Sequence, residues 1–176
     1  IGKSTPRKRV PTDEEIERLL GFFSTPKRKG AANEITAMPD MIAFALASSR
    51  RIGEICRIRW SDIDWENKDE QGSRAPMYLV RDMKDPKKKL GNHKRFPLFQ
   101  ELEQIIARQS RRDGEDRIFP YRAKSVSAKY TRAKRVLGIV GLRFHDNRRE
   151  SITRWLKKFT PHQVRHYVSG HASIRG

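Results

Sequence analysis

Residues 143–176 read RFHDNRRESITRWLKKFTPHQVRHYVSGHASIRG, and the start of that stretch organises the chain around it. His145 and Arg148 stand three apart, where polar residues give way to Ile152, Trp155, Leu156 and Phe159 at helical spacing. That pattern predicts a helix with an apolar inner stripe, and it puts the imidazole and the guanidinium on one face of the first turn. Such a turn outlines an anion site. The guanidinium offers phosphate a bidentate fork, the imidazole a donor or a titratable proton, and a helix N-terminus its free backbone N–H groups. After a second short helix, Gly170 and His171 bring another imidazole to where it could fold back on the first pair. Tyr167, on a stripe with Val164 and Val168, reads as core.

Composition narrows the partner. The chain of 176 residues carries 39 Lys and Arg against 21 Asp and Glu, a formal charge of +18 with a pI near 10.6, which favours a polyanion and nucleic acid first. Hydrophobic residues make up 36% and charged ones 34%. That is polar for a globular protein, but the apolar residues fall in periodic clusters, so one folded domain is expected. No apolar run has the length of a membrane span. The single Cys56 can form no internal disulfide and no thiolate metal site alone; it reads as a small core residue. His162 and His166 have the i,i+4 spacing that zinc can use, yet no clear third ligand shares their face, so no metal is expected.

Outward from the opening stretch, the elements are legible in turn. The first ten residues are cationic and aperiodic, as a linker would be. Thr12 and Glu15 form a capping box ahead of Ile16, Leu19, Leu20 and Phe23. A second helix starts at Met38 or Pro39, and a third is expected through SSRRIGEICRIRW, in which Glu54 can hold Arg51 in place. From Asp62 the period changes to alternation. Ile63 and Trp65, then Met77 to Val80, then Lys94 to Leu98 predict a small antiparallel sheet. The connection between its last two strands carries Lys84 at its base and the basic run Lys87, Lys88 and Lys89, a solvated loop that contacts a DNA backbone or nothing. Helices over Phe99 to Arg111 and Ser125 to Gly138 follow. The expected class is α+β, mainly α-helical with a small three-stranded antiparallel sheet.

The order Arg-x-x-Glu in a helix, a lysine in a β-hairpin loop, His-x-x-Arg and then Gly-His resembles the catalytic domain of the tyrosine recombinases, the phage integrase family. Here those elements are Arg51 to Glu54, Lys84, His145 to Arg148, and Gly170 to His171, with similar supporting phrases in RIRWSDID, KRFPLF and RFHDNRRESITRWL. The resemblance runs from Pro11 onward. Where the family has Thr-Gly before its first arginine, this chain has Ser48 and Ser49, followed by Arg50, so Arg50 and Arg51 compete for that role; Arg51 keeps the spacing to Glu54. Asn147 stands where leucine is commoner, a change of packing and not of chemistry. The family's nucleophilic tyrosine follows Gly-His by a further turn and helix; none of Tyr78, Tyr121, Tyr130 or Tyr167 has that position, so it is expected after Gly176.

The resemblance implies a basic interdomain linker over residues 1–10 and a recombinase catalytic-domain fold over 11–176. It implies site-specific DNA recombination or integration without metal or other cofactor, through a 3′-phosphotyrosine intermediate. Arg51 and Arg148 would neutralise the phosphate oxygens, Lys84 would protonate the leaving oxygen, His145 would handle protons near the tyrosine, and His171 would donate to a phosphate oxygen. Double-stranded DNA is the implied partner, with a homotetramer at synapsis for the full-length protein and no membrane. The implied setting is the cytoplasm, at the nucleoid, of a bacterium or a phage host. A recombinase-like domain that grips DNA without cutting it is the alternative.

Overall fold

A computed structural model of the chain describes residues 8–25, 37–84 and 90–170. Helix α1 spans Asp13–Ser24 and opens on the expected box: the Thr12 hydroxyl accepts from the Glu15 N–H at 3.2 Å, and the Thr12 N–H donates to the Glu15 carboxylate at 2.9 Å. Helix α2, Met38–Ser48, begins with Pro39 in its first turn and is buried along nearly its whole length. It is the axis of the fold, with α1, α4 and α6 packed on it. An apolar helix of this kind has no solvent face to spare, which is why its neighbours surround it.

The third helix is shorter than its sequence predicts. Ser49 takes a left-handed backbone, φ 58°, and Arg51 an extended one, so α2 stops and the chain turns before α3, which covers only Ile52–Ile55. A 3₁₀ turn over Trp60–Asp62 leads into the sheet. Strands β1 (Ile63–Asp64), β2 (Met77–Val80) and β3 (Lys94–Pro97) form it in the order β1-β2-β3, all antiparallel, with Tyr78 opposite both Ile63 and Phe96. Tyr78 and Phe96 point inward, where Tyr78 meets Phe44 of α2 edge-on at 6.2 Å. Each such buried aromatic contributes on the order of 1.5–3 kcal/mol by leaving water. Helices α4 (Gln100–Ala107) and α5 (Ala123–Val136) close the core, with Val126, Tyr130 and Ala133 as the inner face of α5. Cys56 is buried and free, and burial pushes its thiol up to about 11.

Two further expectations fail here. Helix α6, Asp146–Leu156, does not bury the apolar stripe read from the sequence: Leu156 is 43% and Phe159 41% exposed, while Asp146, Asn147, Arg148 and Ser151 face inward. The surface that α6 meets explains the choice. The last turn of α2 presents unpaired carbonyls, which want donors, and they receive the Arg148 guanidinium at Ser49 O and the Trp155 indole N–H at Ala47 O, 2.8 Å. The second failure is Tyr167. After α7 (Pro161–Gln163) the chain continues as a π-helical turn, Val164–Ser169, with Val164 and Val168 inward, but Tyr167 is 48% exposed, edge-on to His166. The wide turn puts residues four apart on the inner face and leaves their neighbours outside.

Candidate active site

Arg51 sits at the N-terminal end of α3 with an extended backbone, so its N–H and its side chain both point toward Glu54. The Glu54 carboxylate accepts from the Arg51 backbone N–H at 2.9 Å and from its guanidinium at 2.8 Å. Glu54 is 3% exposed and the Arg51 side chain 25%, so the clamp is buried while part of the guanidinium still reaches solvent. Burial works to raise the Glu54 pKa, but the Arg51 N–H and the charges of Arg50 and Arg51 outweigh it and hold the carboxyl below its ordinary range.

His145 and Arg148 occupy the start of α6. The entry turn is tightened by the buried Asp146 carboxylate, which accepts from the Arg143 N–H at 2.8 Å. Arg148 is 3% exposed and donates to Ser49 O and, at 3.1 Å, to Ser169 O. Burial first, then the neighbouring charges of Arg51 and Arg50, push its pKa down to about 9 from the ordinary 12.5. His145 keeps an exposed face, and its pKa is lowered by partial burial and by Arg148 and Arg51. Arg51, Glu54, His145 and Arg148 therefore meet although they lie nearly a hundred residues apart. Three guanidiniums, Arg50, Arg51 and Arg148, surround one buried carboxylate. The excess of positive charge in a desolvated corner is what an anion relieves.

Arg50 and Arg51 part company. Arg50 is 1% exposed and turns into the core, stacked over the Phe96 ring at 3.8 Å, whereas Arg51 faces outward beside His145 and Arg148. Lys84 is exposed at the base of the β2–β3 hairpin, next to Met83, whose sulfur lies 3.7 Å from the Arg50 guanidinium. His171 and the lysines at 87, 88 and 89 lie outside the described residues. Among the described residues no three His, Cys, Asp or Glu side chains group as metal ligands; the His162 and His166 rings lie parallel at 6.4 Å.

With this geometry in place, known proteins give the comparison. The family model described as the phage integrase family matches residues 9–176. The chain belongs to the phage integrase family. A putative integrase/recombinase of Haemophilus influenzae (strain ATCC 51907 / DSM 11121 / KW20 / Rd) is 26% identical over 173 residues, which are 98% of this chain and 52% of that protein. The chain thus spans about half the length of that relative. Among solved structures, the λ integrase catalytic core aligns with TM-score 0.67 at 17% identity, covering 93% of this chain and 95% of that one. The λ integrase tetramer bound to a Holliday junction gives 0.68 at 16%, over 99% and 50% of the two chains. XerA recombinase gives 0.66 at 17%, over 98% and 58%. At these identities the structures establish the fold: the α+β, mainly helical domain with its three-stranded antiparallel sheet is that of the integrase catalytic core.

The integrase domain also holds residues at this site that the sequence reading passed over. Ser49 supplies a carbonyl to Arg148, and Lys94, read only as strand, donates to Gly170 O at 2.9 Å. Gly170 itself has φ 66°, and a Cβ there would meet the Phe96 ring at 2.7 Å and the Met83 methyl at 2.9 Å. One signal was available for Ser49: the position where the family carries glycine asks for a left-handed backbone. Nothing in the sequence pointed to Lys94.

Proposed function

We propose that this integrase cuts and rejoins DNA strands, with the scissile phosphate held by Arg51 and Arg148. The observation that carries this is the buried cationic corner, where burial first, then the charges of Arg51 and Arg50, oppose the charge of Arg148. A phosphate entering it replaces repulsion by paired, charge-assisted hydrogen bonds that strengthen as charge builds on the non-bridging oxygens. A tyrosine hydroxyl attacks phosphorus, a 3′-phosphotyrosine bond forms, and the bond to the 5′ oxygen breaks. Lys84 gives that oxygen its proton, and His145, whose pKa is lowered by partial burial, Arg148 and Arg51, accepts or relays the proton of the tyrosine. His171 is assigned a hydrogen bond to a phosphate oxygen, and the lysines at 87, 88 and 89 contacts along the DNA backbone.

The nucleophile is assigned to a tyrosine C-terminal to Gly176. Tyr78 and Tyr130 are buried, with pKa values raised by desolvation, and Tyr121 packs on the core. Tyr167 overhangs a cavity with Arg95, Pro97 and His166, beside the sheet edge. By likeness to the λ integrase tetramer on its Holliday junction, four protomers are proposed to assemble on duplex DNA. Residues 1–10 are proposed as a linker to a further DNA-binding region, and the setting as the cytoplasm of a bacterium or a phage host. Among the described residues no helix is long and apolar enough to cross a membrane.

A nicked duplex that traps the covalent intermediate tests the reading. The full-length protein is expected to form a protein–DNA adduct, and Arg148→Ala to lower its rate by about 10²–10³-fold, the scale for losing one oxyanion donor. An adduct formed at full rate by Arg148→Ala, or one mapping to Tyr167, would contradict it.

A further inference from the structure

The end of the Val164–Ser169 segment is held in an unusual way. Its last carbonyls are taken one after another by three cations: Arg50 donates to Val168 O, Arg148 to Ser169 O at 3.1 Å, and Lys94 to Gly170 O at 2.9 Å. A helix C-terminus carries the negative end of the backbone dipole, so cations bind there favourably, but each of these three comes from a different element. Arg148 belongs to the phosphate site. Arg50 does not reach it, and no role in the chemistry falls to it.

What Arg50 does touch is telling. Its Nε donates to Ser48 O at 3.0 Å in the last turn of α2, its face lies on the Phe96 ring of β3 at 3.8 Å, and its Nη1 is 3.7 Å from the Met83 sulfur. Phe96 and Met83 are also the two side chains against which Gly170 is packed, too closely for any Cβ. Arg50, Phe96, Met83 and Gly170 thus form one joint. Met83 precedes Lys84, and the hairpin base is further tied by Met83 N–H to Asn92 O, 2.8 Å, and by the Asn92 amide to Met83 O, 3.0 Å. Among the described residues Arg50 forms no ion pair with a carboxylate; carbonyls, a sulfur and an aromatic face surround its charge. A hydrophobic side chain of the same length would fill this space without the desolvation cost, so packing alone does not account for the charge.

We propose that Arg50 is a positioning residue: its guanidinium pins the base of the β2–β3 hairpin and the end of the Val164–Ser169 segment to α2, and so sets where Lys84 and Gly170 stand relative to the phosphate held by Arg51 and Arg148. The planar fork suits the task, since it lays a flat face on Phe96 while donating in fixed in-plane directions, a geometry an ammonium lacks. The catalytic part of this inference rests on the recombinase reading above; the structural part does not.

Two measurements separate them. In hydrogen exchange of the protein, Arg50→Met is expected to speed exchange about tenfold or more at residues 78–84 and 164–170, leaving α1, α4 and α5 unchanged. Arg50→Lys should fall between Arg50→Met and the native protein. In single-turnover adduct formation by the full-length protein, Arg50→Met is expected to lower the rate about 30-fold with duplex affinity held within about twofold, and Arg50→Lys to recover part of the rate. Native-like exchange and rate in Arg50→Met would overturn the proposal. So would faster exchange in every element with affinity and rate lost together, the pattern of general destabilisation. If the native protein forms no adduct, the recombinase reading falls and the exchange pattern alone decides the role of Arg50.

Discussion

Ser49 shows how a single backbone angle can build a site. Its φ of 58° ends α2, turns Arg50 into the core and Arg51 outward, and aims its own carbonyl at Arg148. A serine has no preference for that conformation, and its buried hydroxyl finds no hydrogen-bond partner among the described residues. Ser49→Gly is expected to stabilise the fold by about 1 kcal/mol, the gain from relieved left-handed strain less the extra freedom of an unfolded glycine, read as a higher denaturant midpoint. An unchanged or lower midpoint would contradict this. His145 carries the second prediction at this scale. Its folded pKa lies below the ordinary 6.5 through burial, Arg148 and Arg51. The unfolded chain therefore takes up the proton first, and stability contributed by neutral His145 is lost as pH falls below about 6.5. The NMR titration of His145 should have a midpoint below 6.5, and His145→Gln should flatten the acid loss of stability. A midpoint above 6.5 would count against the cationic environment described.

Elements differ in how much of them the sequence reveals. The start of α1 was legible because Thr12 and Glu15 act within one turn, and the sheet because alternation fixes which residues face the core. The Arg51–Glu54 clamp was legible for the same reason, being an i,i+3 pair. The inner face of α6 was not, because its partners are carbonyls of α2, about a hundred residues away, and no local pattern encodes that demand. Asn147 tests this interface. It is fully buried and its amide lies near the Tyr130 hydroxyl of α5, whose pKa burial raises and Asn147 partly lowers, yet among the described residues neither its amide atoms nor the hydroxyl reaches good hydrogen-bond geometry. Asn147→Leu, of similar volume, is expected to stabilise the domain by about 1 kcal/mol or more by removing an unpaired buried amide. Its adduct rate should stay within about twofold of the native protein's, since Asn147 faces α5 and not the phosphate. A large loss of rate at unchanged stability would place Asn147 in the chemistry instead.

At the scale of the whole molecule, a formal charge of +18 favours a polyanion as partner without saying where a phosphate would sit. Much of that charge is spread over solvated faces such as that of α5, with Lys124, Arg132 and Arg135. The site differs in being buried: Arg148 and Arg50 are nearly inaccessible, and both lie near the buried Glu54 carboxylate. The order of motifs along the chain announced this site, but the joint through Val168, Ser169 and Gly170 became visible only in three dimensions, since Arg50 and Val168 are 118 residues apart. On the proposed function, the folded domain stores uncompensated positive charge for one phosphate group. Thermal unfolding with inorganic phosphate replacing chloride at constant ionic strength tests it most directly, because general screening is then held fixed and only specific binding can stabilise. The native protein is expected to unfold at progressively higher temperature as phosphate rises, and Arg148→Met to respond far less; an equal response from both proteins would contradict the account.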